Sequence, residues 1–269
     1  LDLSREFKLD CSGLPEAVTH DLREALRAKN GVVIVSGPTG SGKTTLLYTL
    51  LCDLDRKRKN IITLEDPIEY AIEGLTQVQV TPKLTFGQAL RSVLRQDPDV
   101  ILVGEIRDQE TADLCLKAAA TGHLVLSTLH ANSAPEVISR LLNLGVDRYM
   151  LTSCLRFSAA QRLVKKLCSK CSIEASASVR AELAKVCLES KVRVAKDANL
   201  RVQNPAGCPS CRKGLVGRTP VLEYLQAAAV RARLTAVEGD APKLVTLREA
   251  ALKFAEKGEA DVCEVLELE

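Results

Sequence analysis

Val32-Val33-Ile34-Val35-Ser36-Gly37-Pro38-Thr39-Gly40-Ser41-Gly42-Lys43-Thr44-Thr45 is an apolar run that breaks into a glycine-rich loop. Residues 37–44 fit G-x-x-x-x-G-K-[ST], the phosphate-loop pattern. Directly after it, Leu46, Leu47, Leu50, Leu51 and Leu54 recur at helical spacing. A strand before the motif and an amphipathic helix after it are the context that separates a phosphate loop from an incidental glycine turn. Glycines let the backbone curl so that successive N–H groups face phosphate oxygens, and the helix aims its N-terminus at the same anion. Gly37, Thr39, Gly40, Ser41, Gly42, Lys43, Thr44 and Thr45 are therefore the expected nucleotide-binding residues. Lys43 is placed to reach the β- and γ-phosphates, and the Thr44 hydroxyl to hold Mg²⁺. No N-K-x-D guanine-reading motif follows, which favours ATP over GTP.

Outward from the loop the pattern repeats. Short apolar runs at 32–35, 61–64, 100–103 and 124–128 read as buried strands, with helix-like segments between them. Val- and Ile-rich strands alternating with helices predict an α/β fold, a mostly parallel sheet covered on both faces. A first helix is expected over 14–29, and another from Pro135 to Leu144, closed by Gly145. From about 166 the character changes to cysteine pairs, polar stretches and glycines, and the last thirty residues look helical and amphipathic. The expected division is 1–29 as linker and helix, 30–165 as nucleotide core, 166–215 as a cysteine-rich subdomain and 216–269 as a helical region.

Hydrolysis needs a carboxylate to orient the attacking water and a second acceptor near the metal. In an open parallel sheet, both should project from the carboxyl ends of strands. Two segments qualify: 61–64 runs into Glu65-Asp66-Pro67-Ile68-Glu69, and 100–103 runs into Gly104-Glu105-Ile106-Arg107-Asp108. A lone acidic residue past a strand is usually a solvated turn residue, but two such clusters beside one phosphate loop are better read as functional. Glu65 and Glu105 are the candidates, and the sequence does not decide which is the base. His130, at the end of the 124–128 strand, either senses the γ-phosphate, holds a neighbouring group, or is a structural hydrogen-bonded histidine. His123 lies at the opposite strand end, and His20 reads as a surface residue of the first helix. Arg91 and Arg95 are four apart on the face opposing Leu90, Val93 and Leu94; they read either as phosphate contacts or as a solvated edge.

Ten cysteines are many for a reduced chain. Six are scattered singly, as expected for core thiols. The other four form two pairs, Cys168-Ser169-Lys170-Cys171 and Cys208-Pro209-Ser210-Cys211. Two C-x-x-C knuckles supply four thiolates, a closed tetrahedral zinc site. The intervening stretch 172–207 is longer than the roughly 15–20 residues of a compact ribbon, leaving room for a small subdomain. A thioredoxin-like redox pair is the weaker reading, because neither knuckle has the strand–helix setting.

Composition narrows the function. Hydrophobic residues make up 46% and charged residues 26%, an ordinary globular balance. Net charge is +3 and aromatics are 3%, which offers neither a backbone-tracking nor a base-stacking surface for nucleic acid. The run Arg56-Lys57-Arg58-Lys59 reads as a solvated turn. No stretch approaches the roughly 18 apolar residues of a membrane span. Leu1–Glu6 has neither an initiator Met nor a signal-peptide shape, so a fragment of a longer cytoplasmic protein is expected.

The stretch Leu94-Arg95-Gln96-Asp97-Pro98-Asp99 through Gly104-Glu105-Ile106-Arg107-Asp108 resembles the signature of the secretion ATPase superfamily, which serves type II secretion and type IV pilus assembly. The same family is similar at the phosphate loop 37–44, at an acidic box matching Thr63–Tyr70, and at a histidine box matching Thr121–His130. The resemblance runs from about residue 30 to the end. It implies a RecA-like P-loop NTPase core, a homohexamer with ATP near subunit boundaries, and work on an inner-membrane platform protein. A membrane-anchored recruiter facing the cytoplasm and a peripheral location at the inner membrane follow from the same resemblance. So does Gly104, where many phosphate-loop enzymes have Asp. Family members also carry an N-terminal domain whose arginines reach the nucleotide, expected to be nearly all absent here. The tetracysteine element is similar to that of the assembly and secretion branch, and is generally lacking in the retraction branch. Two alternatives stay open: a RecA-like nucleic-acid motor, and a nucleotide-gated binding module with little turnover.

Overall fold

A computed structural model describes residues 7–235 and 244–268. Leu1–Glu6 and part of the C-terminal stretch read as helical lie outside them. The chain divides into two compact units, Leu1–Gln161 with Tyr224–Leu244, and Arg162–Glu223 with Val245–Glu269.

In the first unit the elements alternate as the apolar runs predict. Helix α1 (Glu16–Arg27) is followed by β1 (Gly31–Ser36), α2 (Lys43–Asp53), β2 (Ile61–Glu65) and β3 (Thr76–Gln79). Then come α3 (Phe86–Val93), β4 (Val100–Val103), α4 (Gln109–Ala120), β5 (Leu124–Leu129), α5 (Ala134–Asn143), α6 (Arg148–Cys154) and β6 (Leu155–Leu167), which belongs to this unit as far as Gln161. Strand β9 (Leu215–Gln226) joins the same sheet, whose order is β3-β2-β4-β5-β1-β6-β9. Every pairing from β3 to β6 is parallel. All residues of β1, β2, β4 and β5 are buried. Successive residues of a strand face opposite sides, so complete burial means that both faces of the sheet are covered.

Local chemistry sets the helix starts. Thr85 and Gln88 form a reciprocal capping box on α3. Asp108 caps α4 through Thr111 N, and Ser133 caps α5 through Glu136 N, with Pro135 in its first turn. Strand β5 lies between the phosphate-loop strand β1 and β4. The carboxyl ends of β2, β4, β5 and β1 thus run side by side along one edge.

The second unit holds a two-stranded antiparallel ribbon, β7 (Ile173–Glu174) with β8 (Arg201–Val202). Around it are α7 (Ala177–Glu189), α9 (Leu247–Ala255) and α10 (Val262–Leu266), packed through Leu183, Cys187, Leu252 and Val265. Its polar ties include a Lys165–Glu264 ion pair at 2.6 Å and an Arg201 Nε bond to Ser172 Oγ at 2.8 Å. The stretch from 216 opens as strand β9, where Thr219, Val221, Glu223 and Leu225 alternate inward, and turns helical at α8 (Ala227–Thr235).

Candidate functional site

The phosphate loop is built on backbone conformations that only glycine adopts easily. Gly37 has φ 144°, Gly40 φ 78° and Gly42 φ 85°. A Cβ on Gly37 would lie 2.5 Å from the Gln161 carbonyl and 2.6 Å from Ser41 Oγ, whereas one on Gly40 would meet nothing within 4 Å. Helix α2 begins at Lys43 directly after Gly42, so its unpaired N–H groups open onto the loop. Lys43 Nζ donates to the carbonyls of Gly37 at 2.8 Å and Pro38 at 3.0 Å, which keeps the ammonium over the loop. Ser41 Oγ is buried with no hydrogen-bond partner among the described residues. An orphaned hydroxyl inside a loop of curled N–H groups fits a phosphate oxygen. Gln161 on β6 braces the loop from behind, its Nε2 donating to Ser41 O at 2.8 Å. No sequence pattern flags Gln161, because its role comes from the pairing of β1 with β6.

Three chemistry-bearing residues stand at the neighbouring strand ends. Glu65 is the last residue of β2, Glu105 follows β4 by two, and His130 follows β5 by one. Glu65 is only 4% exposed. Thr63 Oγ1 at 2.5 Å and Gln77 Nε2 at 3.0 Å donate to its Oε1, and the Tyr48 hydroxyl donates to its Oε2. A carboxylate has about four acceptor sites, so one site on Oε2 stays open. Glu105 is held differently. Arg107 Nε donates to Oε2 at 2.7 Å, while His130 Nε2 lies 3.0 Å from Oε1. Arg107 also reaches Asp66 at 3.9 Å and so links the two acidic segments.

Gly104 has a steric reason: a Cβ there would sit 3.0 Å from the Leu64 carbonyl, which already accepts the Gly104 N–H at 2.8 Å. Thr128 Oγ1 ties the Gly104 carbonyl to β5 at 2.7 Å.

Arg91 and Arg95 have other polar partners. Arg91 pairs with Glu110, in the first turn of α4, at 2.7 Å, and borders a groove of about 530 Å³ with Asp108, Asp113 and Lys117. Arg95 lies just past the end of α3 and donates to the Arg91 carbonyl at 3.0 Å. His123 bonds the Ala118 carbonyl at 2.9 Å, near the end of α4. His20 is exposed beside Asp21.

In the second unit, Cys168, Cys171, Cys208 and Cys211 converge, with all four sulfurs within 4.8 Å of one another. Sulfur separations are 3.8 Å for 168–208, 3.6 Å for 171–211 and 3.6 Å for 208–211. Four sulfurs at about 2.3 Å from one tetrahedral Zn²⁺ would be spaced by about 3.8 Å, so the thiols already have the size of that site. The backbone N–H groups of Cys208 and Gly214 each donate to Cys211 Sγ at 3.2 Å. Burial pushes the Cys211 thiol up, but these N–H groups and the neighbouring thiols outweigh it and hold Cys211 down to about 7. Burial and hydrogen bonds to the other three thiols push Cys171 up to about 12. Cys211 is thus ready to ionise ahead of Cys171.

A parallel sheet with β5 inserted beside the phosphate-loop strand, and carboxylates at the next strand ends, defines a RecA-like α/β core of the phosphate-loop type. The chain belongs to the family described as Type II/IV secretion system protein, whose sequence pattern matches residues 3–267. It is 43% identical to the type IV pilus assembly ATPase PilB of Pseudomonas aeruginosa over 239 residues, covering 88% of this chain and 41% of that protein. It is 42% identical to the type II secretion system protein E of Xanthomonas campestris over 265 residues, covering 94% of this chain and 46% of that protein. Among solved structures, the pilus retraction motor PilT with bound ADP superposes at TM-score 0.68 and 28% identity, covering 97% of this chain and 66% of PilT. The Legionella pneumophila ATPase DotB shares the fold at TM-score 0.65 and 22% identity, covering 96% of this chain and 64% of DotB. The chain spans less than half the length of those two curated relatives.

Proposed function

We propose that this chain is the motor portion of an ATPase that powers assembly of a type II secretion pseudopilus or a type IV pilus. The observation that carries the reading is the alignment of a phosphate loop with two carboxylates at adjacent strand ends, in a chain more than 40% identical to proteins named for those two systems. Lys43 would bind the β- and γ-phosphates, the loop N–H groups and Ser41 would cradle them, and Thr44 would hold Mg²⁺. The metal supplies neutralisation of charge on the phosphates when bound. Glu65, buried and fixed by three donors, is suited to orienting the attacking water through its one open acceptor site. Glu105, tied to Arg107 and His130, is suited to a place beside the metal. The four clustered cysteines would hold one structural zinc ion, with no open position for catalysis.

Homohexamers acting on an inner-membrane platform protein, brought there by a membrane-anchored recruiter, complete the proposal. Among the described residues, no helix is long and apolar enough to cross a membrane. In this reading, membrane association runs through such partners.

Glu105→Gln and Glu65→Gln are each expected to lower ATP turnover of the full-length protein by tenfold or more, with melting temperatures within a few degrees of the parent. Turnover followed by phosphate release, alongside a thermal melt, checks this. Activity lost only through unfolding would remove both residues from the mechanism. Arg91→Ala with Arg95→Ala tests the remaining pair: a fall in turnover or in hexamer content is expected if they serve phosphate or a subunit boundary. Unchanged values for both would leave Arg91 as the exposed partner of Glu110. Stimulation of turnover by single-stranded DNA would favour a nucleic-acid motor instead.

A further inference from the structure

Glu65 is a buried carboxylate whose donors come from three different elements, and the most informative of them is Tyr48. It lies on α2, little more than one turn beyond the Lys43 and Thr44 of the phosphate loop. Its side chain is fully buried, and its hydroxyl donates to Glu65 Oε2, the oxygen that keeps an open acceptor site. That one hydroxyl joins the phosphate-loop helix to the end of β2. Burial first, and the bond to Glu65 second, push ionisation of Tyr48 far above its ordinary range, which keeps it a donor. The ring packs edge-on against Phe7, at 5.7 Å, and Tyr70, at 6.3 Å, which also meet each other at 5.8 Å. On the other oxygen, Gln77 reaches Glu65 Oε1 while its own carbonyl accepts the Ile72 N–H at 2.8 Å, so the amide is locked from both ends.

We propose that Tyr48 is a positioning residue for hydrolysis: it fixes the direction of the open site on Glu65 relative to the phosphate loop. The inference rests on the reading of Glu65 as the water-orienting carboxylate, and deepens it. A carboxylate free to rotate about its side-chain bonds would present that site in many directions. Misdirection of a reacting group by about 1 Å costs on the order of a hundredfold in rate. Tyr48 sits on the same helix as the residues that hold the phosphates, so the water and its target are positioned by one rigid element. Thr63 and Gln77, fixed on strands, set the second oxygen.

Tyr48→Phe keeps the ring and its packing and removes only the hydroxyl. Four full-length proteins are compared by steady-state ATP hydrolysis: the parent, Tyr48→Phe, Glu65→Gln and the double variant. The expected result is a roughly tenfold fall in kcat for Tyr48→Phe with KM for ATP within about twofold of the parent. In the Glu65→Gln background, adding Tyr48→Phe is expected to change kcat by less than about twofold, since the group it positions is gone. A purely structural tyrosine would act equally in both backgrounds, and that additive outcome would overturn the proposal. Parental kcat in Tyr48→Phe, with Glu65→Gln inactive, would overturn Tyr48 alone and leave Glu65 standing. Parental kcat in Glu65→Gln would overturn the reading of Glu65 and the proposal with it. If Tyr48→Phe fails to fold, Thr63→Val removes a donor from the same carboxylate, and the same non-additive pattern is required of it.

Discussion

Lys43→Ala is expected to reduce ATP turnover of the full-length protein by roughly 10² to 10⁴, the largest effect of any single substitution in the loop. The size follows from the contacts at stake. A hydrogen bond to a charged group contributes about 1.5–3 kcal/mol, and an ammonium shared between two phosphates makes about two of them. At about 1.4 kcal/mol per factor of ten, that is the range given. Stability should hardly move. The ammonium now bonds the Gly37 and Pro38 carbonyls, and the Pro38 contact is exposed, so water can replace it. Nor does the loop depend on Lys43 for its shape, which is set by three glycines at positive φ and by the Gln161 bond to Ser41. Calorimetric titration with Mg·ATP, beside a thermal melt, separates the two effects. Binding as tight as the parent's would displace the nucleotide from this loop.

What could be read without coordinates follows from how much of each element is determined locally. Strands β1, β2, β4 and β5 are buried on both faces, so they appear as unbroken apolar runs and place themselves. The phosphate loop and the two cysteine knuckles are legible because spacing alone builds their chemistry. Strand β3 is not: Thr76-Gln77-Val78-Gln79 alternates, but it is a four-residue, mostly polar edge strand, too short to mark itself. The long strands β6 and β9 hide for a related reason, since their burial changes character along their length. At the site, Glu65 and Glu105 could be picked out as acids at strand ends, but their different surroundings could not. Tyr48 sits inside the leucine-rich helix α2, and Gln77 lies twelve residues beyond Glu65; only the folded sheet makes them its donors. Arg91 is a further residue whose surroundings could not be read. Its placement beside Glu110 depends on the packing of α3 against α4, which no local pattern encodes.

Cys208→Ser is expected to remove most of the zinc proposed for the second unit and to loosen that unit, while the phosphate loop still binds nucleotide. Three thiolates and a hydroxyl make a far weaker tetrahedral site, because the soft sulfur donor is replaced by a group that does not ionise near neutral pH. Cys208 is also structurally central to the cluster. Its sulfur is 3.8 Å from that of Cys168 and 3.6 Å from that of Cys211, and its backbone N–H donates to Cys211 Sγ. The stretch between the knuckles leans on this cluster because its sheet is slight, the two-residue strands β7 and β8, and its helix α7 buries only Leu183 and Cys187. Binding energies of about 10–16 kcal/mol for structural zinc become folding energy in such a setting. Acid should act as the substitution does, since thiolates must stay deprotonated to hold the metal: zinc is retained at neutral pH and lost as pH falls. Elemental analysis under reducing, chelator-free conditions is expected to give about one zinc per chain in the parent and below about 0.2 in Cys208→Ser. Limited proteolysis is expected to cut the variant first within 162–223. A parent with less than about 0.2 zinc per chain, or with a Cys168–Cys171 disulfide in its place, would show that the four sulfurs converge for some purpose other than zinc.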